Sequence, residues 1–314
     1  MSPTVLVTGA DGFVGGHMVS ALISAGWHVR RAQRTLATPS PNGDVVTGLK
    51  LAASTDWSAA LNGVQAIVHL AARAHRSVRV QQREKDLYFS INVEGTKHLA
   101  RSAADAGVRH FVVLSSVAVN GSTTSARPAF NENDIAAPTT IYGQSKAAAE
   151  EALAKIAAES NMTITALRAP MIYGSGAGGN FQRLTSAARS GVPLPFASVR
   201  NRRAFLGIDN LTSFAVQHLS SSQPVGFEVF LLADDEQVST PQFITELACA
   251  CDSRTRLFPM PVTLLRIPLR RIGLSDALLE SLEMDTSKAR QIGWQPPLTM
   301  AAGLARAVTT TPPL

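Results

Sequence analysis

Residues 4–15 read Thr4-Val5-Leu6-Val7-Thr8-Gly9-Ala10-Asp11-Gly12-Phe13-Val14-Gly15, an apolar strand that runs without a linker into Gly-x-x-Gly-x-x-Gly and then into a helical pattern. In that setting the three glycines do different things. Gly9 permits the tight turn, Gly12 lets the backbone approach a pyrophosphate, and Gly15 lets the helix pack closely on the sheet. The helix start adds free N–H groups and the positive end of its dipole, which favour phosphate. A dinucleotide cradle at Gly9, Asp11, Gly12, Phe13, Val14 and Gly15 is the expectation.

Outward from this stretch, short apolar runs alternate with helical patterns: Val14 to Ala25, His28-Val29, Ala66 to Leu70, Val93 to Ala106 and Phe111 to Leu114. This rhythm predicts an α/β fold with a doubly wound parallel sheet. Gly26 and Gly107 fall where helices should end. A helix is expected over about Tyr142 to Ser160 and a strand over Thr163 to Leu167. After Pro170 the texture changes to Gly174-Ser175-Gly176-Ala177-Gly178-Gly179, a loop expected to close over a ligand. Phe205 to Ile208 and Glu228 to Leu232 again read as strands, so the chain should return to its first domain. The expected division is 1–170 plus 204–236 for a cofactor-binding domain, and 171–203 plus 237–314 for a smaller C-terminal α/β substrate-binding lobe.

Composition narrows the classes. The 314 residues are 45% hydrophobic and 17% charged, enough to bury a sizeable core. The start has neither the basic and apolar stretches nor the cleavage site of a signal peptide, and no apolar run reaches the roughly 18 residues of a membrane span, so the chain reads as cytoplasmic. Cys249 and Cys251 lack a second Cys or His pair, so no metal site is expected. The net charge of +6 comes from scattered basic residues with few aromatics among them, which points away from nucleic acid and suits an anionic small molecule. Arg266 to Arg271, in a Leu-rich segment, reads as a solvated helix face, with a membrane surface as the alternative.

At the end of the second strand, Val29-Arg30-Arg31-Ala32-Gln33-Arg34 lacks the carboxylate an NAD site offers to the adenosine ribose. A guanidinium can pair there with the 2′-phosphate of NADP; Arg34 is the choice and Arg31 the second, so NADP is expected, with NAD the alternative. Tyr142-Gly143-Gln144-Ser145-Lys146 places a phenol and an ammonium on one helix face. Positive charge from Lys146 and an oxidised nicotinamide should lower the phenol's pKa and let Tyr142 exchange a proton with a sugar oxygen. Upstream, Phe111-Val112-Val113-Leu114-Ser115-Ser116 ends a strand in hydroxyls at the edge where such sheets bind ligands.

These residues resemble the extended short-chain dehydrogenase/reductases, in particular the NAD-dependent epimerase/dehydratase group with its Rossmann domain, over nearly the whole chain. His69-Leu70-Ala71-Ala72, Asn92-Val93-Glu94-Gly95-Thr96, the Ser116 segment and Leu167-Arg168-Ala169-Pro170-Met171-Ile172-Tyr173-Gly174 also carry the likeness. The resemblance implies that Leu70, Ala71, Ala72, Pro170, Tyr142 and Lys146 touch the cofactor. It makes Ser116, Tyr142 and Lys146 catalytic, with Asn92 in the proton-relay region. It also implies that Asn180 and Phe181 after Gly179, with Arg203 and Ser116, bind a nucleotide-sugar, UDP-linked by family habit, and that Asp285 caps a helix. A homodimer through the helices near Asn92 and Tyr142 is a family expectation.

Departures refine this. The serine segment ends Val119-Asn120-Gly121 without an aromatic wall, the third strand leads into Thr47-Gly48-Leu49-Lys50 without an acidic residue for the adenine, and only Ser275 and Leu278 stand where a ribose grip is usual. Ser116 is followed by Val117 and Ala118, not the acid/base pair of a dehydratase. The likeness is then to 4-keto-sugar reductases of surface-polysaccharide synthesis. The expected reaction is NAD(P)H-dependent reduction of a C4 keto group, as in UDP-4-keto-6-deoxy-N-acetylglucosamine. The alternatives are a UDP-hexose 4-epimerase with tightly bound NAD and, third, a non-catalytic NADP-sensing regulator.

Overall fold

The computed structural model describes residues 2–34, 44–74, 82–221 and 223–309. Strand β1 (Thr4–Thr8) turns into α1 (Phe13–Ser24), followed by β2 (His28–Ala32), β3 (Asp44–Val46), α2 (Ser58–Leu61) and β4 (Ala66–His69). Helix α3 (Gln82–Phe89) passes through a π-helical segment, Ser90–Gly95, into α4 (Thr96–Asp105); β5 (His110–Ser116), α5 (Ile141–Ala158) and β6 (Thr163–Ala169) come next. Then follow β7 (Met171–Tyr173), α6 (Gly179–Ser190), β8 (Phe205–Gly207), α7 (Ile208–Ser220) and β9 (Gly226–Leu231). The chain closes with α8 (Thr240–Ala250), α9 (Val262–Arg271), α10 (Ser275–Leu279), α11 (Ser287–Gln291) and α12 (Met300–Thr309).

The main sheet has seven strands in the order β3-β2-β1-β4-β5-β6-β9, every pair parallel. Crossover helices cover both faces, so central strands are apolar without alternation: β4 and β6 are buried along their whole length. One core layer joins Val5, Val7, Met18, Leu22, Phe214 and Phe230; the other joins Leu6, Trp57, Leu99, Phe111 and Leu153. Burying each such Leu or Phe contributes about 1.5–3 kcal/mol. The strand order reverses between β1 and β4, and their carboxyl ends open the crevice in which such sheets bind ligands.

Two features differ from the sequence expectation. Phe205–Gly207 does not rejoin the main sheet but pairs in parallel with β7, because the Phe205 ring stacks on Phe243 at 4.0 Å in the small-lobe core. The return comes through α7 and β9. Ala289 and Trp294, from the stretch assigned to the lobe, pack in the core of the main sheet, with Trp294 edge-on to Phe214 at 5.3 Å. Among the described residues no helix is long and apolar enough to cross a membrane, and no cluster of potential ligands could hold a metal.

Candidate active site

The glycine turn is built as tightly as its sequence demands. Gly9 has φ +69°, and a Cβ there would lie 2.8 Å from the Ala71 nitrogen; a Cβ on Gly15 would lie 2.0 Å from the Gly9 carbonyl oxygen. At Gly12 a Cβ would meet only the Gly9 oxygen, at 3.3 Å, so this glycine keeps an open side. Below the turn, the Thr8 hydroxyl accepts from the Ala71 N–H at 3.2 Å and pairs with His69 Nδ1 at 2.7 Å; His69 Nε2 meets Thr96 Oγ1 at 2.9 Å. Burial, with Lys146 nearby, holds His69 down to about 3, so the ring is neutral. The network then assigns Thr8 as donor to Nδ1 and Nε2–H as donor to Thr96, which ties the ends of β1 and β4 to the start of α4.

These features fit a dinucleotide. Gly12 caps α1 without a side-chain hydrogen bond, leaving its first N–H groups available. Asp11 and Ala72 are exposed, while Phe13, Val14, Leu70, Ala71 and Pro170 are half-buried around the crevice. At the end of β2 the pleat settles the arginines. Arg30 bonds the Ala60 and Asn62 carbonyls at 3.0 and 2.7 Å, whereas Arg31 shares the α1 face with Val29. Gln33 Oε1 and Arg31 Nε are buried without a partner among the described residues, and Arg34 is exposed. Gln33, which no sequence pattern singles out, thus occupies the place of the missing carboxylate.

Tyr142 opens α5, whose start is fixed by Thr140 accepting from the Gly143 N–H at 3.0 Å. Gly143 allows the helix to meet the Ser116 segment, since a Cβ would lie 2.6 Å from the Ala118 oxygen. Ser116 Oγ accepts from the Ala118 N–H at 3.2 Å, and its hydroxyl is hydrogen-bonded to Tyr142. Lys146 donates to the Leu114 oxygen at 2.8 Å, with its Nζ 6.0 Å from the centre of the Tyr142 ring. Burial draws Lys146 down to about 8.

The phenol moves opposite to expectation. Burial pushes Tyr142 up to about 12, against the pull of Ser116 and with a small push from Tyr88. Tyr88, on a helix whose polar sequence shows no apolar periodicity, stands edge-on to Tyr142 at 6.4 Å and donates to the Ala74 oxygen.

Asn92 lies in the π-helical segment. Its Oδ1 accepts from the Arg73 N–H at 2.7 Å and its Nδ2 donates to the Arg73 oxygen and to Ser145 Oγ, at 3.1 and 3.0 Å. It therefore fastens the segment after β4 to α5. Beside the site runs a buried network that no local pattern announces. Glu150 accepts from Ser115 and from Arg168, whose Nε reaches both carboxylate oxygens at 3.1 and 3.2 Å and whose Nη2 reaches Oε2 at 2.6 Å, and Arg168 Nη1 donates to Asn120 Oδ1 at 3.0 Å. Asn120 is thus an interior partner of Arg168, not a wall of the crevice.

On the small-lobe side, Asn180 sits in the first turn of α6 with no hydrogen-bonded partner among the described residues. Phe181, grouped with it as a substrate contact, is 4% exposed and packs on Tyr173 in the lobe core. Arg203 Nη1 donates to the Asp276 and Glu280 oxygens at 2.9 and 2.6 Å; burial lowers it to about 10, which leaves it protonated at neutral pH. His17 Nε2 meets the Ser175 oxygen at 2.8 Å and ties α1 to the glycine-rich loop. Asp285 stands one residue before Thr286, the N-cap of α11, and accepts from the Ser287 N–H at 2.9 Å.

Comparison with known proteins agrees with this architecture. A UDP-glucose 4-epimerase from Vibrio cholerae is 33% identical over 96% of this chain and 94% of its own. An N-acetyl-alpha-D-glucosaminyl-diphospho-ditrans,octacis-undecaprenol 4-epimerase from Escherichia coli O157:H7 is 24% identical over 98% and 94%. MoeE5, solved with UDP-glucose and NAD, superimposes with a TM-score of 0.75 at 26% identity, covering 97% of both chains. The model of the NAD dependent epimerase/dehydratase family matches residues 5–230, and the chain belongs to that family.

Proposed function

We propose that the chain is a UDP-hexose 4-epimerase that oxidises and re-reduces C4 of its sugar with a retained NAD. The convergence of Ser116, Tyr142 and Lys146 supports redox chemistry at a sugar carbon, which an epimerase and a reductase share. The full-length likeness to a named 4-epimerase favours the epimerase over the reduction inferred from sequence. The nicotinamide supplies the hydride acceptor and donor and, when oxidised, a positive charge. Tyr142 takes the proton from the C4 hydroxyl and returns it to the C4 oxygen, while Ser116 holds that oxygen by a hydrogen bond. Lys146 keeps α5 against Leu114 and would hold the cofactor ribose. Asn180 and Arg203 hold the diphosphate. The reaction belongs to the cytoplasm in this reading.

One observation favours a second reading, NADPH-dependent reduction of a 4-keto sugar. Gln33 and Arg34 replace the carboxylate that would repel a 2′-phosphate, and Tyr142, pushed up to about 12, rests as the proton donor that reduction requires. A stoichiometric assay separates the two. The epimerase interconverts UDP-glucose and UDP-galactose without net change in reduced cofactor. The reductase oxidises one NADPH for each molecule of UDP-4-keto-6-deoxy-N-acetylglucosamine. Tyr142→Phe should slow either reaction by about 10²–10⁴-fold with cofactor binding retained; undiminished turnover would remove Tyr142 from the mechanism.

A further inference from the structure

We propose that the α9 face of the small lobe docks on an anionic phospholipid surface, a role that does not depend on which reaction the Tyr142 site performs. Residues 253–275 carry Arg254, Arg256, Arg266, Arg270 and Arg271 and no Asp or Glu. Helix α9 turns Leu265 inward against Phe196, Val199, Ile244 and Leu279. Its other side leaves Leu264 57% and Ile267 60% exposed, with Ile272 at 54% just past the helix end and Phe258 at 40% on the preceding segment. Leu264, Ile267 and Arg271 follow helical spacing along one stripe.

Arg266 is tied to Glu280 at 2.6 Å, but Arg254, Arg256, Arg270 and Arg271 have no carboxylate at ion-pair distance among the described residues. Exposed aliphatic side chains grouped beside guanidinium groups without carboxylate partners form an amphipathic surface. A second copy meeting this face about a two-fold axis would set the arginines against themselves. Nucleic acid would leave the Leu and Ile side chains without a partner. An interfacial helix uses both features: aliphatic groups enter the headgroup boundary while arginines meet anionic lipid. Arg203 bonds the carbonyls of Asp276 and Glu280, at the helix immediately after α9, so docking would set the small-lobe side of the crevice close to the lipid surface.

The test is flotation of the full chain with phosphatidylcholine vesicles, with and without phosphatidylglycerol. The expected result is binding to the phosphatidylglycerol vesicles alone. Binding should weaken about fivefold for each arginine removed in Arg270→Ala/Arg271→Ala, and be lost in Leu264→Ser/Ile267→Ser at unchanged melting temperature. Arg101→Ala/Lys155→Ala, on exposed positions of α4 and α5, should bind as the parent does. The proposal is overturned if the parent does not float, if the α9 variants float like it, or if the α4/α5 variant loses binding equally. It is likewise overturned if the α9 substitutions lower the sedimenting mass, which would make the occupant a second copy.

Discussion

Replacing Lys146 by Met reads the electrostatics of the site through stability, with no substrate present. Lys146 is 6% exposed, and burial draws its pKa from the ordinary 10.5 to about 8, with Glu150 opposing. A lysine whose pKa is lower in the folded chain binds its proton more readily when unfolded. Below pH 8 both states are protonated and the folded state bears the whole cost of the buried charge. At about 1.4 kcal/mol per factor of ten, that cost is about 3 kcal/mol. Between pH 8 and 10.5 the folded chain gives up the proton first, so stability rises with pH; above 10.5 the contribution is level. Methionine keeps much of the apolar stem and loses the bond to the Leu114 oxygen, about 1 kcal/mol. Lys146→Met should therefore be more stable than the parent by about 2 kcal/mol at pH 7. The parent should overtake it by about 1 kcal/mol near pH 10.5. Urea midpoints of both proteins, taken in steps from pH 7 to 10.5, measure this. Tyr142, pushed up to about 12 in the folded chain, is present in both proteins, so its linkage cancels from their difference. Parallel curves would refute the argument, since they would mean that burial does not shift Lys146.

Two further substitutions test the architecture. Gly15→Ala drives a Cβ to 2.0 Å from the Gly9 oxygen and should cost about 3 kcal/mol in urea unfolding. Gly12→Ala, with a nearest contact at 3.3 Å, should keep the fold and weaken dinucleotide binding by titration calorimetry. Arg168→Met leaves Glu150 and Asn120 buried without their partner and should lower stability by about 3–5 kcal/mol. Adding Glu150→Leu should recover most of that loss, and a double-mutant cycle with no coupling would remove the pair from the account.

What the sequence made legible is local. The strand, three glycines and helix at residues 4–24 carry their geometry in consecutive residues, and Tyr142 and Lys146 need only one turn of helix to come together. Fold class followed from the same periodicities. What stayed hidden depends on distant partners. Glu150 and Arg168 are ordinary surface residue types until β6 is laid beside β5 and α5, and Asn120 reads as a loop residue until Arg168 reaches it. Phe181 follows a polar, glycine-rich loop, so its place in the lobe core depends on Tyr173 and on the α8 residue Phe243. The direction of the Tyr142 shift is hidden for the same reason: the position of Lys146 can be read from the spacing, whereas burial, which sets the direction, cannot.

The end of β2 is where the two functional readings separate. Gln33 Oε1 and Arg31 Nε lie buried and unpartnered on the α1 side, and each such group costs about 1–3 kcal/mol. A ribose hydroxyl can donate to an amide oxygen, and an oxygen of either a hydroxyl or a phosphate can accept from a guanidinium. A carboxylate at residue 33 would have excluded the 2′-phosphate by repulsion; a neutral amide removes that barrier without adding attraction. Under the second reading proposed above, attraction to the phosphate comes from Arg31 or from exposed Arg34, through charge-assisted bonds. In the two readings proposed above, the choice between a retained NAD and an exchanging NADPH rests on these two arginines, while the proposed roles of Ser116, Tyr142 and Lys146 are the same in both.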